Sequence, residues 1–209
     1  MKKFILMSDI IDSSSKDQQL LMHNLKKCTN YINDKYLKNV LSPLTITLGD
    51  EFQAVISDLY NAIKIMIDLE EFIIQNNFEI KLRYVLLFGK IDTQINSEVA
   101  YEMLGEGLTS ARKLINNMKN DHNRFLINVE SNDKNVILNN CFNIYQNIVD
   151  KWNLNKDYIL ISNLIEFNDY KIVSKKINKE RSLIWKREKN LNISSYNSSK
   201  EILYTIAKI

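Results

Sequence analysis

The sequence predicts an α+β fold in two parts, a sheet domain over residues 1–131 and a small all-helical domain over residues 132–209. Three observations carry this. Up to Val129, short apolar runs alternate with long stretches of helical period, in the order β-α-β-β-α-β and then α-β. After Ser131 only helical period remains. Between Asn168 and Asn190, eight basic side chains stand against three acidic ones.

The elements follow in order. Lys3 to Met7 reads as a strand. Lys16 to Tyr36 reads as a helix, with Leu20, Leu21, Leu25, Cys28 and Ile32 on its inward face. Pro43 is expected to break the chain before the next strand. Thr45–Leu48 and Phe52–Ile56 flank Gly49-Asp50-Glu51, a hairpin signal. Asp58 to Gln75 is a second helix, with Ala62, Ile65, Met66, Leu69 and Phe72 or Ile73 inward. Ile80 to Phe88 is a strong strand stopped by Gly89, and Ile91-Asp92-Thr93 is expected to begin another edge. A third helix opens near Leu104 and runs to about Asn117, and Arg124 to Val129 is a further strand. This order is the ferredoxin-like, split βαβ arrangement extended at its end. Helices over Asn132–Trp152, Lys156–Phe167, Asn168–Ile177, Glu180–Asn190 and Ser194–Ile209 complete the chain. The short ones suggest a helix-turn-helix at about 168–190. Val173, Ile177 and Ile184 would be its core, Ser174 the small residue at the crossing, and Asn178 the turn residue tolerant of the left-handed region.

Composition bounds the function. Hydrophobic residues make up 45% and charged residues 25% of the 209 positions, as in soluble globular proteins. No apolar stretch approaches the ~18 residues of a membrane span. The Phe4–Met7 run is too short for a signal peptide and Asp9 interrupts it, so a cytoplasmic protein without a membrane partner is expected. Cys28 and Cys141 lack metal-ligand spacing and read as buried reduced thiols. The net charge of +3 is uneven: residues 1–131 carry 15 basic and 17 acidic side chains, residues 132–209 carry 13 and 8. A local basic patch of this kind suits double-stranded DNA. Lys179, Arg181, Ser182, Trp185, Lys186 and Lys189 are its candidate contacts. A helix-turn-helix also serves to dock proteins, and Trp185 has a core reading beside the DNA reading.

The candidate site lies where two apolar runs end in carboxylates. Lys3–Met7 leads into Asp9, and Thr45–Leu48 leads into Gly49-Asp50-Glu51. If these strands are neighbours, Asp9 and Asp50 meet at one sheet edge, with Glu51 beside them. Two or three acidic oxygens held by backbone suit a hard cation such as Mg²⁺ together with substrate phosphates. Asp12, or one of Ser13–Ser15, is expected to cap the following helix. Only four glycines occur, Gly49, Gly89, Gly105 and Gly107. Each ends an apolar run where backbone must turn or approach something closely.

With these residues in place, the N-terminal part resembles class III nucleotidyl cyclase and GGDEF domains, which share a palm-like βαββαβ core. Asp9-Ile10-Ile11-Asp12-Ser13-Ser14 resembles the cyclase segment Asp-Ile-x-Gly-Phe-Thr. Leu48-Gly49-Asp50-Glu51-Phe52 resembles the cyclase Gly-Asp hairpin and the end of GGDEF. Tyr84 to Ile91 and Met103 to Lys113 resemble two further cyclase segments. The chain as a whole is similar to bacterial SatD-family proteins, on Ser8-Asp9-Ile10-Ile11-Asp12-Ser13, Thr47-Leu48-Gly49-Asp50-Glu51-Phe52-Gln53 and the C-terminal helix-turn-helix. The resemblance implies Asp9, Asp50 and Glu51 as ligands of Mg²⁺ or Mn²⁺. It implies nucleotide contacts at Ile10, Asp12, Ser13, Ser14, Gly49, Ile46 and Glu102, the last two at base-selecting positions. Thr109 stands at the transition-state Asn, and Lys113 at the transition-state Arg with Arg112 one residue off register. It further implies a homodimer with a shared site. Three functions stay open: a regulator that binds a metal–nucleotide and DNA or a partner, an active nucleotidyl cyclase or nucleotidyltransferase, and a degenerate dimerisation module. The altered base-selecting and transition-state positions favour the first.

Overall fold

The computed structural model describes residues 1–209, apart from the side chain of Asn120. The strands are β1 (Lys2–Ile10), β2 (Val40–Ile46), β3 (Glu51–Ile56), β4 (Leu82–Lys90) and β5 (Phe125–Asn128). The α-helices are α1 (Gln18–Lys35), α2 (Leu59–Gln75), α3 (Glu106–Asn117), α4 (Asn132–Val149), α5 (Leu154–Phe167), α6 (Tyr170–Lys176), α7 (Arg181–Asn190) and α8 (Ile193–Lys208). The strands form one mixed sheet in the order β2-β3-β1-β4-β5. β1 runs antiparallel to both β3 and β4, and β5 lies parallel to β4.

Strand alternation sorts the core into two layers. Leu6, Ile10, Phe52, Ala54 and Ile56 pack with α1 and α2 on one face. Ile5, Met7, Val55, Val85 and Leu87 pack with Leu108, Ala111 and Ile115 of α3 on the other. The first layer continues into the C-terminal helices, taking in Leu138, Phe142, Tyr145, Ile161, Val173, Ile184, Tyr196 and Leu203. The Tyr196 hydroxyl donates to Glu71 of α2 at 2.7 Å, and Lys200 pairs with the same carboxylate.

Amide side chains of α4 close the outer edge of β5. Asn139 both accepts from Ile127 N–H (2.9 Å) and donates to its carbonyl (2.7 Å). Asn135 does the same for Val129 at 2.7 and 2.9 Å, and Gln146 accepts from Arg124 N–H at 2.9 Å. An edge strand otherwise presents unpaired donors and acceptors to any passing strand. These amides, spaced on one helix face, occupy them.

Two glycines let α3 touch the sheet. A Cβ on Gly107 would sit 2.7 Å from the Gly89 carbonyl carbon and 2.8 Å from Lys90 N, both backbone atoms that cannot step aside. Gly107→Ala is therefore expected to lower stability by about 1–3 kcal/mol, the usual cost of overpacking, as a fall in the urea midpoint without loss of the folded spectrum.

Several expectations are corrected. Pro43 lies inside β2, not before it. β2 is the outermost strand and its pairing with β3 is irregular around Ser42 and Thr45, so a missing N–H costs nothing there. Ile91–Thr93 forms no strand, because the amides of Asp92 and Thr93 turn to the Leu104 carbonyl. Leu20 is exposed; the inward face of α1 begins at Leu21. Asp17, not Asp12 or Ser13–Ser15, caps α1, accepting from Gln19 and Leu20 N–H. Cys28 and Cys141 are buried free thiols, and burial pushes them up to about 12 and about 11.

Candidate functional site

The antiparallel register of β1 with β3 places Asp9 opposite Glu51, and its register with β4 places Asp9 opposite Arg83. All three follow the alternation of Ile5 and Met7, so they stand on the α3 face of the sheet. Arg83 donates to both Asp9 carboxylate oxygens, at 2.9 and 2.8 Å. Arg112 of α3 pairs with Glu51. Lys119, in the short 3₁₀ turn after α3, places Nζ 3.8 Å from Asp9 Oδ2 and 3.7 Å from Glu51 Oε1. Burial pushes the Asp9 carboxyl upward; the Arg83 guanidinium and Lys119 offset only part of this, and nearby Asp50 adds to it.

Asp50 sits in the hairpin turn, where Gly49 takes φ +82°. Its carbonyl accepts from Ile10 N–H at 2.9 Å, and its carboxylate accepts from the Ser13 hydroxyl at 2.6 Å. The loop after β1 is thus tied to the hairpin by Ile10 and Ser13. Asp12 is exposed in the left-handed region at φ 56°, and Ser14 is exposed.

The residues expected to act on phosphate gather beside this cluster. Thr109, Arg112 and Lys113 line one cavity of about 400 Å³, together with Met7, Gln53 and Asn116. Arg112 therefore stands between Glu51 and that cavity. The Thr109 hydroxyl lies 3.4 Å from the Gly105 carbonyl one turn back. Ile46 is half-buried at the end of β2, opposite Phe52. Glu102 is exposed at φ 58°, in a loop held to the hairpin through Ala100, which bonds Thr45 and Gln53. A second cavity, of about 500 Å³, opens along α3 toward Lys2, Gly89 and Lys90, away from the carboxylates.

Hard carboxylate oxygens suit Mg²⁺ or Mn²⁺. Among the described residues no group of three His, Cys, Asp or Glu side chains is arranged to hold a metal. Asp9 and Glu51 converge on one cation position, and the Lys119 ammonium takes it; Asp50 is turned to Ser13. The donor chemistry at that position fits a hard cation, with an ammonium as its stand-in.

Arg83 and Lys119 were not among the residues expected here. Arg83 carried a signal: a guanidinium inside the apolar run Leu82–Phe88 is buried only when paired. Lys119 carried none.

In the tail, α6 and α7 meet at Asn178, which takes φ 50°. Val173, Ser174 and Ile184 are buried at their contact. Lys179, Arg181, Ser182, Lys186 and Lys189 are all exposed, and Trp185 stands 45% exposed rather than in the core. Arg187 is engaged by Asp157, and Lys176 by Glu166 at 3.3 Å. Lys175, Lys179, Arg181, Lys186 and Lys189 form no ion pair among the described residues.

No curated protein matches the chain. Solved structures similar to it include a bacterial light-regulated adenylyl cyclase, at 16% identity and a TM-score of 0.46, covering 61% of this chain and 43% of that one. The guanylate cyclase domain of RhGC from Catenaria anguillulae, in complex with GTP, is 17% identical with a TM-score of 0.38, over 55% of this chain and 72% of that one. Adenylate cyclases from Trypanosoma brucei in their monomeric state are 11% identical with a TM-score of 0.44, over 60% and 71%. The chain spans less than half the length of the first of these, 43%. Among the described residues no helix is long and apolar enough to cross a membrane. The SatD family model matches residues 4–206, nearly the whole sequence, and the chain belongs to the SatD family.

Proposed function

We propose that this chain is a cytoplasmic regulator whose sheet domain, with a cyclase-like palm core, binds a nucleotide with a divalent cation, and whose α6–α7 unit acts as a helix-turn-helix on DNA or a protein partner. The observation that carries the first part is the convergence of Asp9 and Glu51 on one cation position, with Arg112 between Glu51 and the cavity of Thr109 and Lys113. Carboxylates on one side and basic side chains on the other are what a metal-bound polyphosphate requires.

Asp9 and Glu51 would hold Mg²⁺ or Mn²⁺, with Asp50 completing the set from the hairpin turn. The cation would neutralise the phosphate oxygens and orient the chain of phosphates. Arg112 and Lys113 would take phosphate oxygens from the cavity side. The backbone from Ile10 to Ser14, with Asp12 already left-handed and Ser13 tied to Asp50, and the Gly49 turn would line the phosphate path. Ile46 and Glu102 would flank the base. Thr109 is a short hydroxyl and not a carboxamide, and Lys113 a point charge and not a planar fork. Both changes weaken the stabilisation of developing charge, so binding is favoured over turnover. Four exposed apolar side chains, Leu48 on the hairpin tip and Val99, Tyr101 and Leu104 on the loop bonded to it, support a homodimer through this end of the sheet.

The test is calorimetric titration of the full chain with ATP and GTP in Mn²⁺, with product analysis on the same samples. The wild type is expected to bind one of them, and Asp50→Ala to weaken binding at least tenfold while keeping its melting transition. Equal binding by both proteins would move the site away from the carboxylates. Absence of binding by the wild type would leave the degenerate dimerisation module.

A further inference from the structure

The carboxylates of this site already hold a full set of positive charges, and the holders differ in how firmly they sit. Arg83 is 7% exposed and donates to both Asp9 oxygens, so it is part of the fold. Its Nε is buried without a hydrogen-bond partner among the described residues. The Lys119 side chain is 49% exposed, and its ammonium lies nearly midway between Asp9 and Glu51, at 3.8 and 3.7 Å. Both distances exceed those of a direct hydrogen bond, so it is a loose occupant on a flexible stem. Arg112 is one-third exposed, with Glu51 on one side and the cavity on the other.

We propose that Lys119 and Arg112 are a built-in plug: they neutralise Asp9 and Glu51 in the empty protein, and are handed to the phosphates when a nucleotide and a divalent cation enter together. The inference rests on the nucleotide reading above and adds a regulation to it. The charge balance favours the exchange. Two positive charges leave the carboxylates as one divalent cation arrives, while the two released side chains meet a polyanion on the side of the cavity that Arg112 already lines. A cation arriving alone must displace the plug without giving it a new partner. A nucleotide arriving alone meets carboxylates at its phosphates. Each ligand therefore lowers the cost of the other, a coupling that runs equally in both directions.

The test uses Mn²⁺ alone, with free ion measured by electron paramagnetic resonance. The proteins are the full wild-type chain, Lys119→Gln, and Lys119→Gln combined with Asp9→Asn, each checked by thermal melting. Wild type is expected to bind Mn²⁺ weakly. Lys119→Gln should bind it about tenfold more tightly, and the added Asp9→Asn should remove the gain. The same Mn²⁺ affinity in wild type and Lys119→Gln, or a gain that survives Asp9→Asn, overturns the plug. If Lys119→Gln gains Mn²⁺ affinity but the wild type binds no nucleotide, the plug at a cation seat stands and the nucleotide reading falls. If nucleotide binds and the gain is missing, the reading stands and the plug falls.

Discussion

Replacing Arg124 by Met should cost the fold about 3–5 kcal/mol, the usual penalty for removing one partner of a buried ion pair. Arg124 is only 3% exposed. Its Nη2 donates to Glu70 at 2.7 Å, its Nε to Asp150 at 3.0 Å and its Nη1 to the Leu82 carbonyl at 3.1 Å. Its guanidinium also lies over the Phe125 ring, 4.6 Å from the centroid. One side chain thus joins α2, β4, β5 and the residue that caps the C-terminus of α4. Met keeps most of the volume, so the loss reports charge rather than a cavity. The damage comes from Glu70, which is buried and would keep only the Tyr84 hydroxyl, at 2.9 Å. Urea unfolding measures it, and adding Glu70→Gln should recover a good part of the loss by removing the stranded charge. An Arg124→Met variant within 1 kcal/mol of wild type would mean that Glu70 finds water or another cation.

The second large effect is expected in the tail. If Lys175, Lys179, Lys186 and Lys189 each neutralise one phosphate of duplex DNA, affinity falls by roughly 0.9 log units per log unit of salt for each. Between 50 and 200 mM salt that is a loss of about 150-fold. Arg181 and Ser182 are exposed at the start of α7; if α7 acts as the recognition helix of the proposed helix-turn-helix, they are the residues that would touch base edges. Arg181→Ala should relax sequence preference, and Lys189→Ala should weaken all sequences alike. Anisotropy titrations of the full chain at the two salt concentrations check both. Negligible binding at low salt would make α6–α7 a protein-docking or packing unit.

Much of this molecule was legible in its residues. The periodicities of Leu21, Leu25, Cys28 and Ile32 in α1, and of Ala62, Ile65, Met66 and Leu69 in α2, locate the helices because those faces are buried against one sheet. Gly49-Asp50-Glu51 marks a turn that does take positive φ at its glycine. Asn178 was readable for the same local reason. What failed depends on partners distant in sequence. Pro43 reads as a breaker unless its strand is known to be an edge. Leu20 reads as inward until the start of α1 is fixed by Asp17. Asp9 looks like an open ligand until the register with β4 brings Arg83 against it, 74 residues away. Lys119 joins the site only because α3 ends in a 3₁₀ turn above the carboxylates. The carboxylates were local; their counter-charges were not.

The measurement that bears most directly on the nucleotide site is a crystal structure of the full chain with a non-hydrolysable nucleoside triphosphate and Mn²⁺. The anomalous signal of Mn²⁺ is expected between Asp9 and Glu51, with the phosphates reaching Arg112 and Lys113 and the Lys119 ammonium displaced. Triphosphate bound elsewhere, with Arg112 still on Glu51 and Lys119 still between the carboxylates, would contradict the account.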